Sequence, residues 1–111
     1  MSHTLFYLVA AHFILDYPLQ GDTTAMQKSP LVKNALSVAV PWYYWLTAHA
    51  LAQSLGVMVI TGSLVLSLVE LVAHWVIDLF KCYRKFNIHV DQGLHLFCKV
   101  LYALVLWKGW V

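Results

Sequence analysis

The sequence contains very few charged residues. Charged side chains make up 11% of the 111 residues, and hydrophobic side chains make up 61%. An average soluble domain is about a quarter charged and about half apolar, and a domain this small needs charge to cover its surface. No Asp, Glu, Lys or Arg occurs from Asn34 to Val69. This composition disfavours a small soluble core protein and predicts an integral membrane protein.

Other absences exclude several classes of protein. Two cysteines, Cys82 and Cys98, are too few for a disulfide framework and lack the spacing of a thiolate zinc site. The first apolar stretch has no basic segment before it, so no cleavable signal peptide is expected. There is no glycine-rich phosphate loop, and no Ser or Cys placed beside a base. The small net charge of +2 gives no basic surface, so nucleic acid is not an expected partner.

Four apolar segments run along the chain, over residues 3–19, 38–60, 64–82 and 90–110. The turn Thr61-Gly62-Ser63 is short enough to return the chain directly as a helical hairpin. Trp and Tyr at positions 42–45 are typical of a membrane–water boundary. We therefore predict one all-α domain over residues 1–111, a polytopic membrane protein built as an antiparallel four-helix transmembrane bundle.

Basic residues predict the orientation of that bundle. Lys28 and Lys33 lie between the first two segments, and Arg84 and Lys85 lie between the last two. Loops rich in Lys and Arg stay in the cytoplasm. The expected location is the bacterial inner membrane, with multiple passes, lipid as a partner and a homo-oligomer as a possible assembly.

Ionisable residues inside a bilayer are costly, so each one suggests a function. Here they recur at intervals of four, which places them on one face of each helix. Four of the five acidic residues and four of the six histidines belong to this pattern. Such polar stripes avoid lipid only by facing one another. The residues are His12 and Asp16; His49; Glu70, His74 and Asp78; and Asp91 and His95.

Depth sorts these eight residues into three layers. At about 1.5 Å per residue, the three aspartates lie within about 5 Å of the cytoplasmic helix ends. The histidines of helices one, three and four follow about 6 Å further in. His49 and Glu70 are expected to be deepest. The predicted layers are therefore Asp16, Asp78 and Asp91; then His12, His74 and His95; then His49 and Glu70.

Imidazole and carboxylate groups from facing helices are typical ligands of zinc, manganese and iron. We predict a divalent transition-metal site, with zinc preferred, formed by the seven His and Asp residues. Glu70 is the predicted catalytic general base. Lys81, on the face of Glu70, and Gln92 are the predicted substrate-binding residues. A hydrogen-bonded proton relay or a purely structural network is the alternative.

The order of these motifs resembles a known family. Residues 11–20 (AHFILDYPLQ) resemble the opening motif of a bacterial and phage membrane-protein family catalogued as domain of unknown function 3307. The rest of that family's pattern corresponds to Met26 and Lys28, His49, the Glu70–Lys81 helix, and Asp91-Gln92 with His95. The resemblance covers nearly the whole chain and implies no particular activity.

The first functional hypothesis is a metal-dependent hydrolase that acts on a lipid or another amphiphile from the cytoplasmic side. A zinc-bound water has a pKa near neutrality, which supplies the nucleophile. The second is a divalent-metal or proton carrier or channel. The third is a small phage or bacterial membrane effector with a structural metal. Residues 57–66 and 103–110 are almost wholly apolar, which favours a closed site over a conduit.

Overall fold

The computed structural model describes residues 2–17 and 19–110. Pro18 of the predicted opening motif lies outside the described residues. The structure is all-α, and four of its helices are long. The helices are α1 (Ser2–Asp16), α2 (Gly21–Gln27), α3 (Ala35–Ala39), α4 (Trp42–Thr61), α5 (Leu64–Cys82) and α6 (Ile88–Trp107).

The prediction of a polytopic four-helix transmembrane bundle is wrong. Among the described residues, only Ile88–Trp107 is long and apolar enough to cross a bilayer, and one such helix is weak evidence for a span. The 15 residues of α1 extend only about 22 Å, short of the roughly 30 Å hydrocarbon core. Polar and aromatic residues dilute α4, and α5 carries Glu70, Asp78 and Lys81. The long uncharged run misled the prediction because it is distributed over three helices.

Local capping signals explain where the helices begin and end. The side chain of Asn34 accepts a hydrogen bond from the Ser37 amide, forming a capping box at the start of α3. The side chains of Ser63 and Asn87 cap α5 and α6, and each accepts a single hydrogen bond from a backbone amide of the first turn. Gly62 ends α4 with a positive φ of 69°, a conformation that favours glycine. These caps produce the sharp return from α4 to α5.

The predicted second helix, residues 38–60, is divided in the structure. The short helix α3 stops at Ala39, Val40 is extended, and α4 starts at Trp42. The cause is Pro41, because the ring of a proline disfavours helical backbone at the residue before it. The long helix therefore starts four residues later than predicted. This shift changes the depth of every residue on α4.

The four long helices form a closed ring in which α1 contacts α4 and α6, and α5 contacts α4 and α6. A glycine allows the close approach of α1 to α4. A Cβ atom at Gly56 would lie 3.1 Å from Cδ1 of Leu15 and 3.8 Å from Cβ of Ala11. Between α4 and α5, the hydroxyls of Ser54 and Ser67 each donate to the other residue's carbonyl oxygen. Small residues therefore set the spacing of three of the helices.

The interior of the ring has two different ends. Near the α4–α5 turn, the buried core is apolar and consists of Leu8, Val57, Leu66, Tyr102 and Ala103. We call this the apolar end. At the other end, most of the buried side chains are polar or charged. We call it the polar end, and its carboxylates and imidazoles form the candidate site.

Candidate metal centre

Four side chains from three helices converge at the centre of the polar end. Nε2 of His49 lies 2.9 Å from Oδ1 of Asp16 and 3.3 Å from Oδ2 of Asp78. Nε2 of His74 lies 3.6 Å and 3.4 Å from the same two oxygens. The two imidazole nitrogens are 3.1 Å apart. These four atoms form a compact group of two nitrogens and two oxygens, with all pairs within 4.8 Å.

A second group of possible ligands adjoins the first through Asp78. Oδ1 of Asp78 lies 3.0 Å from Nε2 of His95. Oδ1 of Asp91 lies 3.4 Å from the same nitrogen. All three side chains are at most 1% exposed. The carboxylate of Asp78 therefore belongs to both groups, through one oxygen in each.

Gln92 connects three residues of the polar end. Its Nε2 donates to Oδ2 of Asp16 and to Oδ2 of Asp91, each at 2.9 Å. Its Oε1 hydrogen-bonds Nε2 of His12 at 2.9 Å. The amide thus occupies one oxygen of each carboxylate and leaves both Oδ1 atoms directed toward the imidazoles.

Glu70 is enclosed by three partners rather than by His49. Its Oε2 accepts from Nζ of Lys99 at 2.7 Å and lies 3.2 Å from Nδ1 of His74. Its Oε1 accepts from the hydroxyl of Tyr102 at 3.0 Å. Glu70 is fully buried and Lys99 is 1% exposed. Both carboxylate oxygens therefore have partners, and one of them orients the ring of His74.

A second buried lysine reaches the site from the segment after α2. Nζ of Lys28 donates to Oδ2 of Asp78 at 2.9 Å and to Oε1 of Gln20 at 2.6 Å. A cavity of about 140 Å³ adjoins this point, and its wall includes both Gln20 and His49. The other lining residues are Leu15, Leu19, Thr24, Ala48 and Ala52. The wall of the cavity therefore combines polar and apolar side chains.

The pKa values follow from burial and close partners. Burial disfavours the charged form of His74, but hydrogen bonds to Asp16, Asp78 and Glu70 outweigh it and raise the pKa of His74 from 6.5 to about 10. Burial also opposes ionisation of Glu70, yet its bond to His74 and the charge of Lys99 lower the pKa of Glu70 to about 2. The centre of the site therefore favours charged carboxylates paired with a cation.

His12 behaves differently from His74. Burial and the charge of Lys99 lower the pKa of His12 to about 4, so its imidazole is neutral at physiological pH. The neutral imidazole is the form that binds metal ions. For Asp16, burial opposes ionisation, but hydrogen bonds from His49 and His74 lower its pKa below the ordinary value.

Comparison with known proteins places the chain in a family. The family described as "Protein of unknown function (DUF3307)" matches residues 4–110. The chain belongs to the DUF3307 family. No curated protein and no solved structure matches it. The resemblance inferred from the ordered His, Asp and Glu motifs is confirmed, and the match spans every residue of the polar end.

The structure of this DUF3307 chain brings together all eight residues of the predicted stripes, although the layers differ from the prediction. His49 lies with Asp16, Asp78 and His74 instead of deeper, beside Glu70. The reason is the later start of α4 at Trp42. His49 is seven residues from that end, or about 10 Å, and His74 is eight residues from the end of α5, or about 12 Å. The two imidazoles therefore lie at the same level.

The lysines of the site differ from the predicted one. Among the described residues, Lys81 forms no ion pair with a carboxylate of the polar end, whereas Lys28 and Lys99 do. Lys99 carries a readable signal, because it lies four residues after His95 and continues the stripe of Asp91 and His95. Its position in the apolar second half of α6 conceals that signal. Lys28 has no spacing signal of this kind, because it is the fold of the segment between α2 and α3 that brings its ammonium group to Asp78.

Proposed function

We propose that this DUF3307 chain binds a divalent transition-metal ion between Asp16, His49, His74 and Asp78. One observation carries the proposal. Five of the six distances between the four ligand atoms are 2.9–3.6 Å. A tetrahedral ion with ligands at about 2.0–2.1 Å separates them by about 3.3–3.4 Å. The ligand atoms are therefore spaced as a zinc-sized ion requires.

Charge supports the same proposal. The polar end buries four carboxylates, namely those of Asp16, Glu70, Asp78 and Asp91. Among the described residues, two buried ammonium groups, those of Lys28 and Lys99, accompany them. With every carboxylate ionised, two positive charges are lacking, which equals the charge of one divalent ion. Buried charges without partners are strongly unfavourable.

The residues around the four ligands suit a metal as well. A metal-bound histidine usually has its other nitrogen bonded to a carboxylate or carbonyl, which fixes the ring. Nδ1 of His74 has that partner in Glu70. Two imidazoles and two carboxylates favour zinc, with manganese or iron also compatible. Glu70, predicted as a general base, fits a positioning role better, because its oxygens already bind Lys99 and Tyr102.

The activity that we propose is hydrolysis of an amphiphilic substrate, such as a lipid or a phosphate ester with an apolar tail. A bound ion of this type lowers the pKa of water and polarises a carbonyl or phosphoryl oxygen. The cavity beside His49 supports this substrate class, because its wall combines polar and apolar residues and reaches the site at His49. Gln20, which lines the cavity, also accepts a hydrogen bond from the buried ammonium group of Lys28.

Two other functions use the same residues. A carrier or channel requires a polar path through the ring, but the apolar end closes it with Leu8, Val57, Leu66 and Tyr102. A proton relay without metal would supply the missing charge through protonated imidazoles such as His74. A structural metal in a small effector would occupy the same four ligands. Metal content and turnover separate these functions.

The decisive experiment measures metal in purified full-length protein prepared without chelators. Elemental analysis should find at least one zinc, manganese or iron ion per chain, and His74→Ala should lose it. His89→Ala is the matched control, because His89 is exposed on α6 and outside the site. Equal, near-zero metal content in wild type and His74→Ala would reject the proposal. Hydrolysis of a panel of lipid phosphates and esters then tests the activity.

We also propose that the protein binds to a lipid surface. Large hydrophobic side chains are exposed on every long helix, among them Phe6, Leu55, Val72 and Phe97. Monomeric soluble proteins rarely expose contiguous apolar patches of more than a few hundred Å². From residue 79 to residue 90 the chain has Lys81, Arg84 and Lys85 but no acidic residue, which favours contact with anionic headgroups.

Vesicle flotation tests the lipid proposal. The protein should float with vesicles that contain anionic phospholipid, and Arg84→Gln with Lys85→Gln should weaken flotation and leave metal content unchanged. If the protein stays at the bottom and light scattering detects a stable oligomer, a second copy covers the apolar surface and the lipid proposal is rejected. A cytoplasmic location of the polar end remains a prediction.

A further inference from the structure

The two oxygens of one buried carboxylate face different partners. Oδ2 of Asp78 lies near Nε2 of His49 and Nε2 of His74, in the proposed metal position. Oδ1 points to the other side, where Nε2 of His95 is 3.0 Å away. A carboxylate with ligand groups on both sides is the usual bridge in helical bundles that hold two metal ions.

An unpartnered oxygen lies on the far side of that bridge. Oδ1 of Asp91 is buried and has no hydrogen-bond partner among the described residues. It lies 3.4 Å from Nε2 of His95, so both atoms face the side of Asp78 that carries Oδ1. A buried polar atom without a partner is unfavourable, and a charged one is more so. Among the described residues, the one cationic group within ion-pair distance of Oδ1 of Asp91 is the imidazole of His95, which already contacts Asp78.

Gln92 fixes this geometry. Its amide nitrogen donates to Oδ2 of Asp91 and to Oδ2 of Asp16. Each carboxylate is thereby held by one oxygen and presents the other, so that Oδ1 of Asp16 faces the first position and Oδ1 of Asp91 faces the second. Partners that orient ligands in this way are typical of metal sites.

We infer that Oδ1 of Asp78, Oδ1 of Asp91 and Nε2 of His95 hold a second divalent cation, bridged by Asp78 to the first. This inference rests on the proposed function, because the bridge needs an ion on each side. The two ions would be about 3.5–4 Å apart, as in other two-metal sites. The first position has four protein ligands and is closed, whereas the second has three.

The number of protein ligands indicates which of the two positions would take part in a reaction. Structural zinc sites have four protein ligands, and catalytic sites have three with an open position for water or substrate. The second position is therefore where water or an anionic group would bind. Two divalent ions also exceed the missing charge of the polar end by two, which favours an anionic ligand at the open position.

The test is a manganese titration of metal-free full-length protein, followed by native mass spectrometry and electron paramagnetic resonance. Wild type should bind two ions, and the spectrum should lose intensity at the second equivalent because bridged Mn²⁺ ions couple magnetically. Asp91→Asn and His95→Gln should each bind one ion with an uncoupled spectrum. Asp22→Asn, at an exposed acid outside the site, is the control and should bind two.

The possible failures are distinguishable. One ion in wild type, unchanged in Asp91→Asn, overturns the second position and leaves the proposed metal binding at the first position intact. No ion in wild type overturns both. If Asp91→Asn stays helical by circular dichroism but loses both ions, Asp91 belongs to a single site, and the assignment of two positions is wrong. Two uncoupled ions in wild type would also overturn the bridge at Asp78.

Discussion

The two ends of this helical ring bury opposite kinds of side chain, and burial therefore affects their stability in different ways. The apolar end packs side chains such as Leu8, Val57 and Leu66, which gain free energy simply by leaving water. The polar end buries ionisable groups, which gain nothing unless each finds a partner. The first end is stable without any ligand. The second depends on its ion pairs and on the bound cation that we propose.

Lys99 and Tyr102 connect the two ends. Tyr102 belongs to the apolar core, but its hydroxyl donates to Glu70, which also binds Lys99. The ion pair therefore lies where the ring changes from charge to hydrocarbon.

Replacing Lys99 with Met should have the largest effect on stability. The substitution removes the ammonium group 2.7 Å from Oε2 of Glu70 and leaves a buried carboxylate without its cation. Removing one partner of a buried pair costs about 3–5 kcal/mol. Chemical denaturation should detect this loss. Lys108→Met, at an exposed position directly after α6, is the control. It should change the free energy of unfolding by less than about 0.5 kcal/mol.

A second variant checks the cause. If the unpaired charge is responsible, Lys99→Met combined with Glu70→Gln should recover a large part of the lost free energy. A double variant as unstable as Lys99→Met alone would instead attribute the loss to packing. In that case the ion pair would not be what holds the junction of the two ends.

Truncation of a side chain at the apolar end should lower the free energy of unfolding by a similar amount and leave the metal content unchanged. Leu66→Ala removes a side chain that is 5% exposed, and such changes cost about 2–5 kcal/mol. Leu68→Ala, where the side chain is 52% exposed, is the matched control and should be nearly neutral. Metal content per folded chain should stay at the wild-type value in both. A loss of metal in Leu66→Ala would show that the two ends are coupled.

The sequence predicts the polar end better than it predicts the fold around it. The spacing of four residues between Glu70, His74 and Asp78 defines a helix face whatever surrounds it, so these side chains were expected together. The membrane topology was inferred from overall apolarity, which does not reveal where a helix breaks. Pro41 breaks one, and the change moves His49 into the level of His74. Lys99 continues the spacing of Asp91 and His95, but it lies in the apolar second half of α6, where a lone charge resembles a surface residue.

Replacing Gln92 should have a smaller effect, and it should act on metal affinity. Gln92→Leu removes the amide that holds Asp16 and Asp91 by their Oδ2 atoms. Loss of such an orienting partner typically weakens metal affinity by about 10–100-fold. Competition with a chromophoric chelator measures the change. Gly93→Ala is the control, because a Cβ at Gly93 meets nothing within 4 Å. Unchanged affinity in Gln92→Leu would mean that the carboxylates keep their orientation without the amide.

The smallest effects are expected from changes of pH, which should alter the stability and the metal affinity of the polar end. The contribution of the apolar end should not change with pH. Because the pKa of His74 is raised from 6.5 to about 10, the folded metal-free chain holds a proton there that the unfolded chain loses earlier. The stability that this proton contributes is complete below pH 6.5 and disappears as the pH rises toward 10. A metal ion must displace the same proton, so its apparent affinity should rise about tenfold per pH unit for each proton released.

Metal-free stability and metal affinity should therefore change in opposite directions between pH 7 and 9. Denaturation of metal-free protein and chelator competition at each pH measure the two quantities. Leu66→Ala should lower stability by a constant amount over this range and leave the slope of affinity unchanged, since no titrating group at the apolar end contacts the ion. An affinity independent of pH would mean that His74 is already neutral before the metal binds. The positive charge that balances Asp16 and Asp78 in the metal-free chain would then have to come from their other partners, such as Lys28 and His95.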